Sequence, residues 1–183
     1  MLSFGRRILR FAAVISAALL LVSCGKKESS EGEQRTGCVS AITRYFRSVN
    51  ETGMAKEYYE LTFPKEYIKR VRDLEKYDDM LMCYESRMEC ETAHFVTSPV
   101  FGEITVRNEL TEKQLSSVAA YYKNIYSIDP PAIEAGYLVI FRYTNGLGED
   151  ELKKVCALEL RNDSWKIIES DIKEIESSFS ADI

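Results

Sequence analysis

The segment from Phe11 to Val22 is almost unbroken apolar sequence, interrupted only by Ser16. Arg6, Arg7 and Arg10 precede it, and no acidic residue occurs before Glu28. A comfortable membrane span needs about 20 apolar residues, and this run has roughly a dozen. A positive opening followed by a short apolar stretch is the pattern of an export signal that is removed from the mature chain. Residues 1–23 are therefore not expected to be part of the fold, and the remainder is expected to fold outside the cytoplasm.

The run ends in Leu21-Val22-Ser23-Cys24. This quartet resembles the lipobox of bacterial lipoproteins: a branched apolar residue, a tolerated residue, a small residue, then the cysteine that receives diacylglycerol. The resemblance implies acylation of Cys24 by several chains and attachment to the extracytoplasmic face of the cell membrane. A single acyl chain holds a protein only marginally, and stable anchoring takes two signals. Residues 25–36 then read Gly-Lys-Lys-Glu-Ser-Ser-Glu-Gly-Glu-Gln-Arg-Thr, with no side chain suited to a core. That composition predicts a disordered tether, so that residues 24–37 are anchor and spacer. The folded domain is expected over residues 38–183, and about 147 residues suffice for one domain with a genuine core.

The export segment takes three arginines with it, leaving 21 basic against 29 acidic side chains and a formal charge near −8. Nucleic acid, which wants a basic face, is excluded as a partner on this ground. Adhesion to an anionic membrane surface is disfavoured in the same way. Besides Cys24 there are four cysteines, Cys38, Cys83, Cys90 and Cys156, an even number on an exported chain. They allow three connectivities. In a straight helix residues 83 and 90 stand about 10 Å apart, whereas a disulfide needs Cα atoms within about 7 Å. A Cys83–Cys90 bond thus requires a helix break near Ser86-Arg87. The favoured pairing is Cys83–Cys90 with Cys38–Cys156, and free thiols are the alternative.

Val39, Ile42, Phe46 and Val49 recur at helical spacing between Cys38 and Asn50. Gly53 interrupts, Met54 to Thr62 continues as a short helix, and Pro64 suits the first turn of the next. Tyr67, Ile68, Val71, Leu74, Leu81 and Tyr84 predict one long helix fading between Cys83 and Thr92. His94–Val96 and Val100–Val106 read as strand. Thr111 with Gln114 forms a capping box opening a helix whose buried stripe is Leu115, Val118, Tyr122 and Ile125. Tyr137 to Tyr143 is apolar on both faces, as in a central strand. Asn145-Gly146-Leu147-Gly148 turns the chain into a partner strand at Lys154–Leu160. Asn162-Asp163-Ser164 turns it again into Trp165–Glu169.

Helices first, then a strand, a helix and a hairpin series predict an α+β domain with helices packed on one sheet face. Three stretches carry a resemblance. Glu109-Leu110-Thr111-Glu112-Lys113-Gln114-Leu115 leads to Tyr121-Tyr122-Lys123-Asn124-Ile125-Tyr126. Glu134-Ala135-Gly136-Tyr137 enters the hairpin, and Asn162-Asp163-Ser164-Trp165-Lys166-Ile167 ends it. Together, over roughly residues 38 to 170, they resemble small exported lipoproteins of Gram-positive bacteria with a nuclear-transport-factor-2-like (cystatin-like) domain. The resemblance implies a curved antiparallel sheet wrapped around helices as a cone with a pocket, and dimerisation through the outer sheet face. It implies no activity, since function belongs to the site rather than the fold.

His94 is the only histidine, and no nucleophile-elbow motif accompanies it. Cys83, Cys90 and His94 offer a three-ligand metal set, but a disulfide beside a surface histidine is the preferred reading. There is no Cys-x-x-Cys and no phosphate-binding glycine loop; no metal and no cofactor are expected. Glu159 and Glu169 are the carboxylates placed on the last two strands. Tyr58, Tyr59, Tyr67, Phe101, Phe141, Tyr143 and Trp165 read first as core aromatics. In a pocket, Phe101, Phe141, Tyr143 and Trp165 are its expected lining and favour a small apolar ligand. The functional expectation is a non-catalytic binding or interaction module, contacting a small ligand or an envelope protein. The alternative is a pocket enzyme using a buried carboxylate and a tyrosine.

Overall fold

The computed structural model describes residues 31–129 and 132–169. The export segment, Cys24, the tether up to residue 30 and the polar tail from residue 170 lie outside the described residues. Helix α1 spans Glu31–Ser48, α2 Ala55–Thr62, α3 Lys65–Asp73 and α4 Tyr77–Thr92. Strand β1 (Val100–Glu109), helix α5 (Glu112–Tyr126) and strands β2 (Ile133–Thr144), β3 (Asp150–Leu160) and β4 (Trp165–Glu169) follow. The strands form one antiparallel sheet in the order β1-β2-β3-β4. This is the expected α+β class, helices followed by an open antiparallel sheet.

Helix α1 begins at Glu31 rather than at Cys38, so the end of the expected tether forms its opening turns. Gly37 explains part of this. A Cβ at that position would lie 2.7 Å from the Trp165 indole nitrogen, so only glycine lets the helix pass so close to the ring. Further along, Cys38, Ala41, Ile42, Tyr45 and Phe46 are all buried, at the i, i+3, i+4, i+7, i+8 spacing of one helical face.

The helices do not gather on one sheet face. Tyr137, Val139 and Phe141 of β2 join Val155 and Ala157 of β3 and Ile167 of β4 against α1 and Leu61 of α2. The alternate residues Leu138, Cys156, Leu158, Leu160 and Ile168 pack against Val118, Tyr122 and Tyr126 of α5. Successive strand side chains point to opposite faces, so helices cover both sides of the central strands. This is the physical content of the two-faced apolar run at residues 137–141, and it corrects the single-face expectation.

The long helix predicted after Pro64 is two helices. The chain leaves α3 through Glu75 at φ 55°. The Lys76 N–H reaches the Val71 carbonyl at 3.1 Å and the Glu75 N–H reaches Arg72 at 2.9 Å. That bond pair is a Schellman closure with glutamate in the position that glycine usually fills. Residues 94–96 are not strand. The Val96 and Thr97 N–H groups donate to the Gly146 carbonyl at 2.7 and 3.1 Å. The Phe95 ring lies so close over Gly146 that a Cβ there would fall 2.1 Å from it. The segment therefore wraps the β2–β3 turn.

The capping box of α5 forms as expected, with the Thr111 N–H donating to Gln114 Oε1 at 2.8 Å and the Gln114 N–H to Thr111 Oγ1 at 3.4 Å. Its buried stripe is Gln114, Val118, Tyr122 and Tyr126, while Ile125 is 58% exposed. Tyr126 takes the inward position because its ring meets Phe63 at 5.6 Å and Tyr67 at 5.2 Å.

All four cysteines after Cys24 are free thiols. Cys83 and Cys90 lie on the unbroken α4 with no break at Ser86-Arg87, which holds them about 10 Å apart. Cys38 packs into the apolar cluster under α1, whereas Cys156 points to the α5 face. Neither expected pair stands at bonding distance. Burial pushes the Cys38 thiol up to about 12 and raises Cys156 as well, so both are inert core thiols.

Candidate binding cleft

The expected pocket aromatics divide into separate groups. Phe101, Phe141 and Tyr143 come together around Phe46 of α1, with ring centroids at 5.0, 6.5 and 5.5 Å from it. Tyr58 and Tyr59 join Tyr84 of α4, where Tyr58 stacks on Tyr84 at 4.3 Å. Tyr67 sits with Phe63 and Tyr126 against the α5 cluster. Trp165 stands apart, stacked on Tyr137 at 6.1 Å. Among the described residues these rings fall into separate stacks, and most of their contacts are core packing of the edge-to-face and offset kind.

One cleft does remain, of about 260 Å³, where the first two groups approach. Phe46, Tyr58, Phe141 and Tyr143 line it, together with Val49 and Asn50 just beyond the end of α1. Arg87 and Glu91 of α4 line one side, and Lys153 of β3 and Glu169 of β4 the other. Lys153 is directly opposite Phe141 across the sheet, so its ammonium rises beside the aromatic floor. Its Nζ lies 5.4 Å from the Tyr45 ring centroid and 2.9 Å from Glu169 Oε1. Burial pulls this ammonium below the usual lysine range, and the neighbouring Glu151 charge opposes that shift. Arg87 lies over the Tyr84 ring at 4.8 Å and 3.6 Å from Glu91.

Tyr143 donates a short hydrogen bond to Glu151, whose other oxygen accepts from Asn145 at 2.5 Å. Burial first, then this bond and the Glu151 charge, push the Tyr143 phenol up to about 12. The bonds from Tyr143 and Asn145 hold Glu151 below the usual carboxylate range. The cleft thus combines an aromatic floor with two cations, two carboxylates and an amide. This chemistry suits a ligand with a flat apolar part and polar groups of either sign at its ends.

Glu159 and Glu169 are not brought together. Glu169 pairs with Val155 in the register and Glu159 with Trp165. Four residues of strand, about 13 Å, separate the two positions. Glu159 has one carboxylate oxygen buried without a partner, and burial followed by the Glu134 charge raises its pKa. His94 is exposed, and no group of three metal-ligating side chains is assembled among the described residues.

Sequence reasoning missed Lys166. On β4 it is 2% exposed, and its Nζ donates to the Glu60 carbonyl at 2.6 Å and Ser164 Oγ at 3.1 Å. It also lies 2.8 Å from Asp163 Oδ1, while Asp163 Oδ2 accepts the Lys65 N–H at 3.0 Å. A groove of about 820 Å³ between α3 and the β3–β4 turn opens beside this clasp. The polar turn before Trp165 was visible in the sequence, but nothing there marks a lysine as interior.

No characterised family, no characterised protein and no solved structure is significantly similar to this chain. No helix among the described residues is long and apolar enough to cross a membrane.

Proposed function

We propose that the chain is a lipid-anchored extracytoplasmic lipoprotein whose domain is a non-catalytic binding module. The anchor rests on the sequence alone, through the arginines, the apolar run and Leu21-Val22-Ser23-Cys24. The binding role rests chiefly on the cleft between α1, α4 and the sheet, where aromatic rings meet Arg87, Glu91, Lys153 and Glu169. The charged groups there are already paired, Arg87 with Glu91 and Lys153 with Glu169, and the Tyr143 hydroxyl is held on Glu151, which favours holding a ligand over transforming one. The likeness to nuclear-transport-factor-2-like domains is the finer fold reading, supported by the hairpin series and the turn-Trp-Lys-Ile ending.

Two measurements test the two halves. Substitution Cys24→Ser should abolish labelling by radioactive palmitate and release the protein from the membrane fraction. Continued labelling would refute the anchor. Native mass spectrometry of the protein in detergent should show a non-covalent adduct that is absent from the denatured mass and lost in Arg87→Ala. A clean mass in wild type, or an adduct indifferent to Arg87, would refute the cleft as a binding site.

A further inference from the structure

Helix α4 presents one broad exposed face. Tyr84 and Met88 are the buried residues of this helix, and Asp79, Met82, Cys83, Ser86, Arg87 and Cys90 are all exposed. Cys83 and Cys90 are seven residues apart, which is two turns less about 20°, so they share one face. Both are free. Their separation of about 10 Å exceeds what one disulfide can span, so they cannot oxidise onto each other while α4 is intact.

We propose that α4 is the dimerisation surface, with a second copy of this chain docking antiparallel and two reciprocal disulfides joining Cys83 of each copy to Cys90 of the other. The occupant follows from the thiol spacing. Across a two-fold axis perpendicular to the helix, Cys83 meets Cys90 only if the axis passes between Ser86 and Arg87. Both bridges then form in the same register, because a two-fold interface repeats each contact. Ser86 is small enough for the close helix approach that a Cα separation below about 7 Å demands. Arg87 does not obstruct it, since its guanidinium is laid over Tyr84 and towards Glu91 of its own helix. The same register sets Asp79 of each copy opposite His94 of the other, a carboxylate facing an imidazole.

The chemistry balances with a small-molecule disulfide as oxidant. At each bridge two thiols lose two protons and two electrons, and one oxidised glutathione is reduced to two molecules of glutathione. Two bridges consume two equivalents. In the cell the inference rests on the extracytoplasmic reading, because only an oxidising compartment keeps such bonds.

The test uses the full chain extracted from membranes in mild detergent and treated with oxidised glutathione, resolved on non-reducing gels. Wild type should form a covalent dimer that reductant dissolves. Cys83→Ser alone and Cys90→Ser alone should each stay monomeric, since every bridge needs one of each thiol. An equimolar mixture of the two variants should recover a singly bridged heterodimer. Dimers of Cys90→Ser alone would show like-to-like pairing and overturn the register. A wild-type monomer with its thiols glutathionylated or still free would overturn the surface altogether. Dimerisation in detergent with fully reduced thiols in cells would fault the compartment and leave the interface standing.

Discussion

Substituting Lys166 by methionine removes the ammonium from a site that is 2% exposed. Methionine matches the stem of the side chain, so the packing loss is small and the polar loss decides the outcome. Three acceptors lose a donor: the Glu60 carbonyl, Ser164 Oγ and Asp163 Oδ1. The Asp163 carboxylate, whose side chain is 9% exposed, is left without its counter-charge. Breaking a buried ion pair by removing one partner costs about 3–5 kcal/mol. Asp163 keeps the Lys65 N–H at 3.0 Å and the Ser164 N–H at 2.7 Å, which places the expectation at the low end, about 3 kcal/mol. Against a typical total of about 5–15 kcal/mol that is a large fraction.

The double variant Lys166→Met/Asp163→Asn removes the buried charge as well. An asparagine oxygen still accepts the Lys65 N–H, so the double variant should recover about 1–2 kcal/mol relative to Lys166→Met alone. Urea unfolding followed by far-ultraviolet circular dichroism measures Lys166→Met, Asp163→Asn and the double variant. The pH dependence has a definite sign. Burial, opposed by Asp163, lowers the Lys166 pKa, so the folded chain sheds this proton before the unfolded chain does. Between the depressed value and the ordinary lysine value the unfolded state holds more protons, and stability rises with pH. Lys166→Met should remove that alkaline rise. A loss below about 1 kcal/mol, or single effects that simply add in the double variant, would refute the clasp.

Glu75→Gly should stabilise the protein by about 0.5–1 kcal/mol, because it relieves a non-glycine residue at φ 55° within the Schellman closure; an unchanged urea midpoint would contradict this. Glu159→Gln should gain about 1 kcal/mol at neutral pH, since the unpartnered buried carboxylate oxygen is no longer part of a charge. The Glu159 pKa is raised in the fold, so the wild type loses stability as pH climbs from the ordinary glutamate value through the raised one. The variant should flatten that slope, and an identical pH profile by thermal unfolding would count against the assignment.

Local chemistry was legible wherever a residue type has one dominant use. Thr111 with Gln114, Pro64 at the start of α3, and Asn145 to Gly148 at the β2–β3 turn act on the backbone immediately around them, so sequence alone placed them. The break between α3 and α4 was invisible for the complementary reason. Asp73-Leu74-Glu75-Lys76 contains neither glycine nor proline, and the turn exists because packing makes Glu75 tolerate a left-handed conformation. The stripe of α5 failed similarly: periodicity put Ile125 on the buried face with Tyr122. The aromatic group of Phe63, Tyr67 and Tyr126, brought together from distant segments, drew Tyr126 inward instead.

The same division explains the cleft and the thiols. The run apolar on both faces marked a central strand, but helices were expected on one sheet face only, because periodicity carries no information on which helix covers which side. Cys38 and Cys156 therefore looked like partners until the faces were known. Cys83 and Cys90 posed the opposite problem, since their spacing already ruled out a bond within an intact helix and the only open question was whether α4 continued through Ser86-Arg87. It does. With α4 intact, the i, i+7 spacing that forbids a bond within one chain still permits one between chains, because a two-fold axis between residues 86 and 87 would set each Cys83 against the other copy's Cys90.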